Sequence, residues 1–226
     1  MTLPALVRLL HLASPALPVG AFSYSQGMEA AAEAGWVHDR PSAQAWIAGV
    51  LAGSIACLEA PLWLRLHRAW RAGDATAASH WNAFFLASRE SAELRAESVQ
   101  MGYSLLRLLG DVDEFAQAGL DALHAIAEPA LPTVSAFAAA HWSIAERDGL
   151  TGYLWAWIEN QTMAAIKIVP LGQTDGQRIL LALGDVLPAH VERAQALPDE
   201  GLGALAHGLA MASSWHETQY TRIFRS

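Results

Sequence analysis

The sequence is poor in charge and nearly free of cysteine. Charged residues make up 16% of its 226 residues, against about 25% in a typical soluble domain. Hydrophobic residues make up 53%, the reverse of the balance that keeps chains disordered. Cys57 is the one cysteine, which excludes a disulfide framework and a thiolate cage for zinc. Cations are scarce: Lys+Arg 14 against Asp+Glu 22 gives a formal net charge of −8. With no basic block, nothing is set to meet the phosphates of nucleic acid or anionic lipid, and both drop out as partners.

Met1 to Arg8 lacks a basic leader followed by an apolar core and cleavage site, so a cytoplasmic, reducing setting is the expectation. Two long stretches carry no formal charge, Leu9–Met28 and Pro41–Leu58. Pro15, Pro18 and Gly20 would break a spanning helix in the first. The second is barely long enough and holds Ser42, Gln44 and Ser54, which favours a buried core helix over a membrane span.

Ala and Leu supply 45 and 31 residues, whereas Val, Ile and Thr together supply 27. That ratio favours helix over strand. Leu94, Ser98, Met101, Leu105 and Leu108 step by three and four, as do Val134, Phe137, His141 and Ile144, and Leu180, Leu183, Leu187 and His190. The fold class is therefore all-α: one helical bundle over residues 1–214 with a tail at 215–226. Caps and breakers divide it into about ten helices, near 3–12, 22–34, 41–59, 61–72, 75–87, 90–109, 114–127, 133–148, 150–168 and 174–212, the last broken near Pro198. Pro41, Pro61 and Pro132 read as helix starts, Asp74 and Thr133 as N-caps, and Gly73, Gly110 and Gly149 as stops.

The chemistry-bearing patterns are mostly missing. No two of the nine histidines lie three or four apart, so no helix face offers paired imidazoles to a metal. His216-Glu217 starts like a zincin motif but lacks the second histidine, and Gly201 to Ala206 fits a dinucleotide fingerprint only without its strand. Ser23 to Gly27 lacks the first glycine of a nucleophile elbow. Catalytic residues, cofactor ligands and metal ligands are all expected to be absent. His141 and His190 read as hydrogen-bonded core histidines, and Cys57 as a small buried hydrophobe.

Three segments stand apart. Leu12 to Glu29 is a proline-stiffened turn crowded with aromatics and serines; a capped connector and a preorganised contact surface account for it equally well. In Asn160 to Gln177, Lys167 is the lone charge of an apolar run. It reads either as a last-turn cation or as a charge held at an interface or passage, with Gln161, Gln173 and Gln177 supplying uncharged polar groups. Ser213 to Ser226 holds Trp, Tyr, Phe and two Arg, the composition of a protein interface that orders on docking.

Together these segments resemble the UreF family of urease accessory proteins. Ser14 to Glu29 is similar to that family's N-terminal signature, Lys167-Ile168-Val169-Pro170-Leu171-Gly172-Gln173 to its second and Glu217 to Ser226 to its last. Met28 and Ile223 stand where Leu is commoner. The resemblance runs from about Leu9 to Ser226 and implies an all-helical, homodimeric, non-catalytic scaffold. Its implied partners are UreD (UreH), the GTPase UreG and the urease apoprotein, and its implied work is delivery of nickel while gating GTP hydrolysis. By position, Gly20, Phe22, Tyr24, Ser25 and Glu29 would lie at a partner-facing dimer surface. Lys167 would be the gate, beside Gln173 and Gln177. Tyr220, Arg222, Phe224 and Arg225 would belong to a tail ordered by partner binding. Two other readings remain: a small helical enzyme with Ser25, His216 and Glu217 in one pocket, and a helical adaptor unrelated to nickel.

Overall fold

The computed structural model describes residues 1–226 as ten α-helices with no strand. They are α1 (Leu3–Leu12), α2 (Met28–Glu33), α3 (Arg40–Ala72), α4 (Ala75–Ala87), α5 (Ala92–Asp111), α6 (Gln117–His124), α7 (Leu131–His141), α8 (Glu146–Ile168), α9 (Gln173–Ala196) and α10 (His207–His216). Short 3₁₀ turns occupy Ala21–Ser23 and Asp199–Gly201. The all-α expectation holds, and so does the number of helices.

Local chemistry sets most boundaries. Asp39 and Ser42 form a reciprocal capping box at the head of α3, and the Asp74 carboxylate accepts the Ala77 N–H at 2.9 Å. Gly73 ends α3 in the left-handed region at φ +70°, as a C-terminal stop requires. Thr133 is not the cap expected of it. The helix starts earlier, with Pro132 in its first turn, and the Thr133 hydroxyl instead donates to Asn82 Oδ1 at 2.6 Å. Gly149 is not a stop either; it lies in the first turn of α8, where a Cβ would meet the Trp63 ring at 2.6 Å.

The largest departure is at Pro61, which lies inside one continuous helix, α3. The preceding stretch, Leu51–Glu59, is wound as a π-helix. Proline cannot donate to the carbonyl four residues back and crowds it, and a widened turn relieves both problems. The Cys57 carbonyl accepts from Gly203 N–H at 3.3 Å, and the Gly53 carbonyl from Leu205 N–H at 2.7 Å. The break expected near Pro198 is present: the helix ends at Ala196, and through these two bonds 202–206 then runs along α3. By length and composition α3 could cross a membrane, yet 78% of its most apolar window is buried inside the fold.

That burial makes α3 the axis of the core. Ile47, Leu51, Ile55, Trp63 and Leu64 pack against Leu150, Leu154 and Ile158 of α8 and Ile179, Leu183 and Leu187 of α9. Fully burying each such side chain contributes about 1.5–3 kcal/mol. A second cluster joins Met101, Leu105 and Leu109 of α5 to Leu120 and Leu123 of α6 and to Val134 and Phe137 of α7. The 13–27 loop sends Val19 and Tyr24 into the second cluster and bonds Trp157 of the first through Gln26, and the tail crosses the N-terminal end of α5. The helices thereby bring together segments almost two hundred residues apart.

Candidate functional site

Glu29 organises the site. It sits in the first turn of α2, 7% exposed, where the helix dipole favours a carboxylate. Its Oε1 accepts the Ile223 N–H at 2.7 Å, its Oε2 accepts the Phe224 N–H at 2.9 Å, and Oε2 lies 3.4 Å from His216 Nε2. The buried His216 ring turns its Nδ1 to Glu93 Oε2 at 2.6 Å, and Glu93 Oε1 accepts from Arg222 at 2.6 Å. Arg222 also donates to the carbonyls of Gln219 and Glu217. One chain of charge-assisted bonds thus ties α2, α5, α10 and the tail.

A second chain runs inward. The Ser25 N–H and Oγ both donate to the Ser226 carbonyl, at 2.8 and 2.7 Å. Ser226 Oγ donates to Glu97 Oε2 at 2.6 Å, Gln26 donates to Glu97 Oε1 at 2.7 Å, and Trp157 Nε1–H donates to Gln26 at 2.7 Å. The Arg225 N–H donates to the Ser23 carbonyl at 2.9 Å. Close backbone contact makes this possible: Gly27 has φ +76°, and a Cβ there would lie 2.9 Å from Ser213 N. A side chain would therefore push α2 off α10.

Lys167, the only lysine of the chain, stands over both ends of the clasp. Its Nζ is 5.9 Å from the centre of the Phe22 ring and 5.6 Å from that of Phe224, a cation–π arrangement on each side. Phe224 is buried, whereas Phe22 is 69% exposed. Tyr24, Ser25, Glu29, Lys167, Arg222, Phe224 and Arg225 therefore share one locality, with Phe22 at its surface. Gly20 bends the loop into it at φ +80°. Tyr220 projects fully into solvent at the clasp's outer edge, and Gln173 and Gln177 lie exposed on the first turns of α9, outside these bonds.

Behind the clasp lies a cavity of about 280 Å³. Leu9, Leu12, Met101 and Leu105 line it together with Trp63 and Trp157. Glu59, Glu97 and Tyr153 stand among them, and the exposed residues Phe22, Met163 and Lys167 mark its mouth. Tyr153 donates to Glu59 at 2.5 Å, and Arg89 pairs with Glu59 at 3.2 Å. Burial pushes the Glu59 carboxyl and the Tyr153 hydroxyl upward.

Burial also pushes Glu97 up to about 7, against the pull of its bonds from Ser226 and Gln26. Between the ordinary value of 4.5 and about 7, the folded state holds a proton that the unfolded chain has released. Stability from this group is therefore present at acid pH and declines as pH rises through that window. Glu97→Gln is expected to remove the decline, so that its thermal midpoint gains on wild type as pH rises. Parallel curves for the two proteins would contradict the assignment.

Sequence reasoning missed Glu93 and Glu97 as members of the site, and reached Gln26 and His216 only as parts of their segments and, for His216, of the rival enzyme pocket. Glu97 borders the Leu94–Ser98–Met101 face, so an acid beside an apolar stripe was the available signal. His216 is held between two carboxylates, whereas Glu217 turns away to accept the Ala92 N–H at 2.9 Å. Nor do Ser25 and His216 form a nucleophile pair, because the Ser25 hydroxyl donates to a backbone carbonyl. His141, expected in the core, is exposed and bonds the Glu114 carbonyl at 2.9 Å.

The chain is thus all-helical, with buried polar groups that tie a tail to an N-terminal loop and with aromatics and a lone lysine at the surface. The UreF family model matches residues 37–184. Urease accessory protein UreF of Azoarcus sp. (strain BH72) is 56% identical over 225 residues, covering 98% of this chain and 95% of that protein. The protein of the same name from Methylobacillus flagellatus is 49% identical over 222 residues, 98% of each chain. A bifunctional urease accessory protein UreEF from Bordetella bronchiseptica is 50% identical over 225 residues, 98% of this chain and 52% of the fusion. The chain belongs to the UreF family of urease accessory proteins.

Proposed function

We propose that this chain is a non-catalytic scaffold of the cytoplasm that works with UreD (UreH) and the GTPase UreG. In this reading it delivers nickel to the urease apoprotein and gates the hydrolysis of GTP. The observation that carries it is the convergence of all three family signatures on one face: Ser14–Glu29, Lys167 and the tail meet through Glu29, Ser25 and the two phenylalanines. A fused UreEF relative supports a role among other accessory proteins.

Within that assembly the clasped tail is the docked arrangement: Tyr220, Arg222, Phe224 and Arg225 order as UreD binds or the dimer forms. Gly20, Phe22, Tyr24, Ser25 and Glu29 serve the dimer and UreG side, with Gln173 and Gln177 flanking Lys167. A homodimer is supported by the face of α1 that carries Leu3, Val7 and Leu10, which are 74%, 55% and 63% exposed. An apolar stripe of this kind is normally covered by a partner.

Lys167→Ala removes the cation from between two rings, worth about 1 kcal/mol or less at an exposed site, so the fold should persist. GTP hydrolysis by UreG should then lose its coupling to urease activation. Unchanged coupling and activation would remove the gate assignment. Deleting Trp215–Ser226 should abolish UreD binding, and full retention of binding would remove the tail assignment.

A further inference from the structure

The cavity behind the clasp holds an unbalanced group. Three glutamates of the chain are buried. Glu59 faces Arg89 at 3.2 Å and Glu29 faces His216 at 3.4 Å. Glu97, 2% exposed, receives only neutral donors, the Ser226 hydroxyl and the Gln26 amide. The charge of Arg89 reaches it from a distance without pairing. Ionised, it would be a buried carboxylate without a cation, a state that costs several kcal/mol, and it borders an open space rather than packed atoms.

The walls of that space narrow the choice of cation. Of the oxygen donors in the wall, Glu59 is paired with Arg89 and Tyr153, and Gln26 is bonded to Glu97 and Trp157, so few are left to replace the water around a metal ion, whereas the leucine and tryptophan side chains suit a hydrocarbon body. The Trp157 indole and the Tyr153 ring lie in the wall beside Trp63, which is stacked on His67, and aromatic rings attract a positive head. A mostly apolar cavity with a few convergent polar groups is the usual form of a small-molecule site.

We propose that this cavity binds a small amphipathic organic cation, with its ammonium head at Glu97 and its apolar body along Leu9, Leu12, Met101 and Leu105. The ligand enters at the mouth marked by Phe22, Met163 and Lys167. Because Ser226 bonds the same carboxyl, the occupied site and the seated tail are linked. The site stands apart from the scaffold reading, which would survive its failure.

The test uses the full chain and a defined pair of probes, 2-phenylethylammonium and its neutral match 2-phenylethanol. Binding is followed by the NMR signals of the Trp157 and Trp63 indole N–H groups. The ammonium should shift both signals saturably and bind at least about tenfold more tightly than the alcohol, the range of one hydrogen bond to a charged group. Glu97→Gln should erase that preference, whereas Glu159→Gln at the cavity's edge should keep it. Equal binding of the two probes would show an apolar cavity only and overturn the proposal. So would the absence of binding by either, or displacement of the ammonium by a divalent metal ion at equal concentration. The comparison of probes on the wild-type chain decides the matter even if Glu97→Gln fails to fold.

Discussion

Glu29→Gln is expected to release the tail while leaving the helices in place. The carboxylate accepts two backbone N–H groups, one on each oxygen, and touches His216 as well. An amide of the same shape has one oxygen, so its NH₂ must confront either the Ile223 or the Phe224 N–H. Breaking a buried, charge-assisted contact and stranding a donor costs about 3 kcal/mol. The amides of Ile223 and Phe224 should then exchange hydrogen at least about a hundredfold faster, since local opening reports that free energy directly. Helical content should be unchanged, because α2 keeps its contacts with α10 and α8. Unaltered exchange at those two amides would show that the tail is held by Phe224 and Arg222 without Glu29.

Gly102→Ala should act in the opposite manner, on the whole fold and scarcely on the clasp alone. Gly102 lies mid-way along α5, where a Cβ would fall 1.9 Å from the Pro129 carbonyl oxygen and 2.8 Å from the Ala130 carbonyl carbon. Those are backbone atoms that cannot swing aside. Asn82 holds both ends of the segment, donating to the Glu128 carbonyl at 2.9 Å and accepting the Ala130 N–H at 2.9 Å. Arg95 grips the Glu128 carboxylate as well, at 3.0 and 2.6 Å. Since neither side can yield, α5 must part from the head of α7. The expected loss is at least about 4 kcal/mol, at the severe end for a single substitution. Urea unfolding measures it, and a loss under about 1 kcal/mol would mean that the chain relaxes there more easily than its bonding allows.

The two substitutions also separate what the sequence discloses from what it conceals. Helix caps are local, so Asp74 with Gly73 could be read directly, and the Ala- and Leu-rich composition set the class. Gly102 and Gly149 could not be read as contact points. A glycine that admits Trp63 or a passing carbonyl looks the same in sequence as one that ends a helix. Pro61 misled for a related reason: the Cys57 carbonyl that its missing N–H leaves free is taken by Gly203, far along the chain. The site shows the same division. Lys167, Phe22 and the tail were legible as segments because their composition departs from the helices around them. Glu29 was legible only as a member of a signature, not as the acceptor of two amides nearly two hundred residues away. Glu93 and Glu97 were concealed, since their roles arise from which helices become neighbours.

The central claim is that this face holds other proteins. The most direct measurement is co-purification of the chain with UreD and UreG from one cell, with mass and nickel content determined for wild type and Glu29→Gln together. A complex containing both partners for wild type, depleted or missing for the variant, is the predicted result. An equally complete assembly with the variant, or a wild-type chain that associates with neither protein, would contradict it.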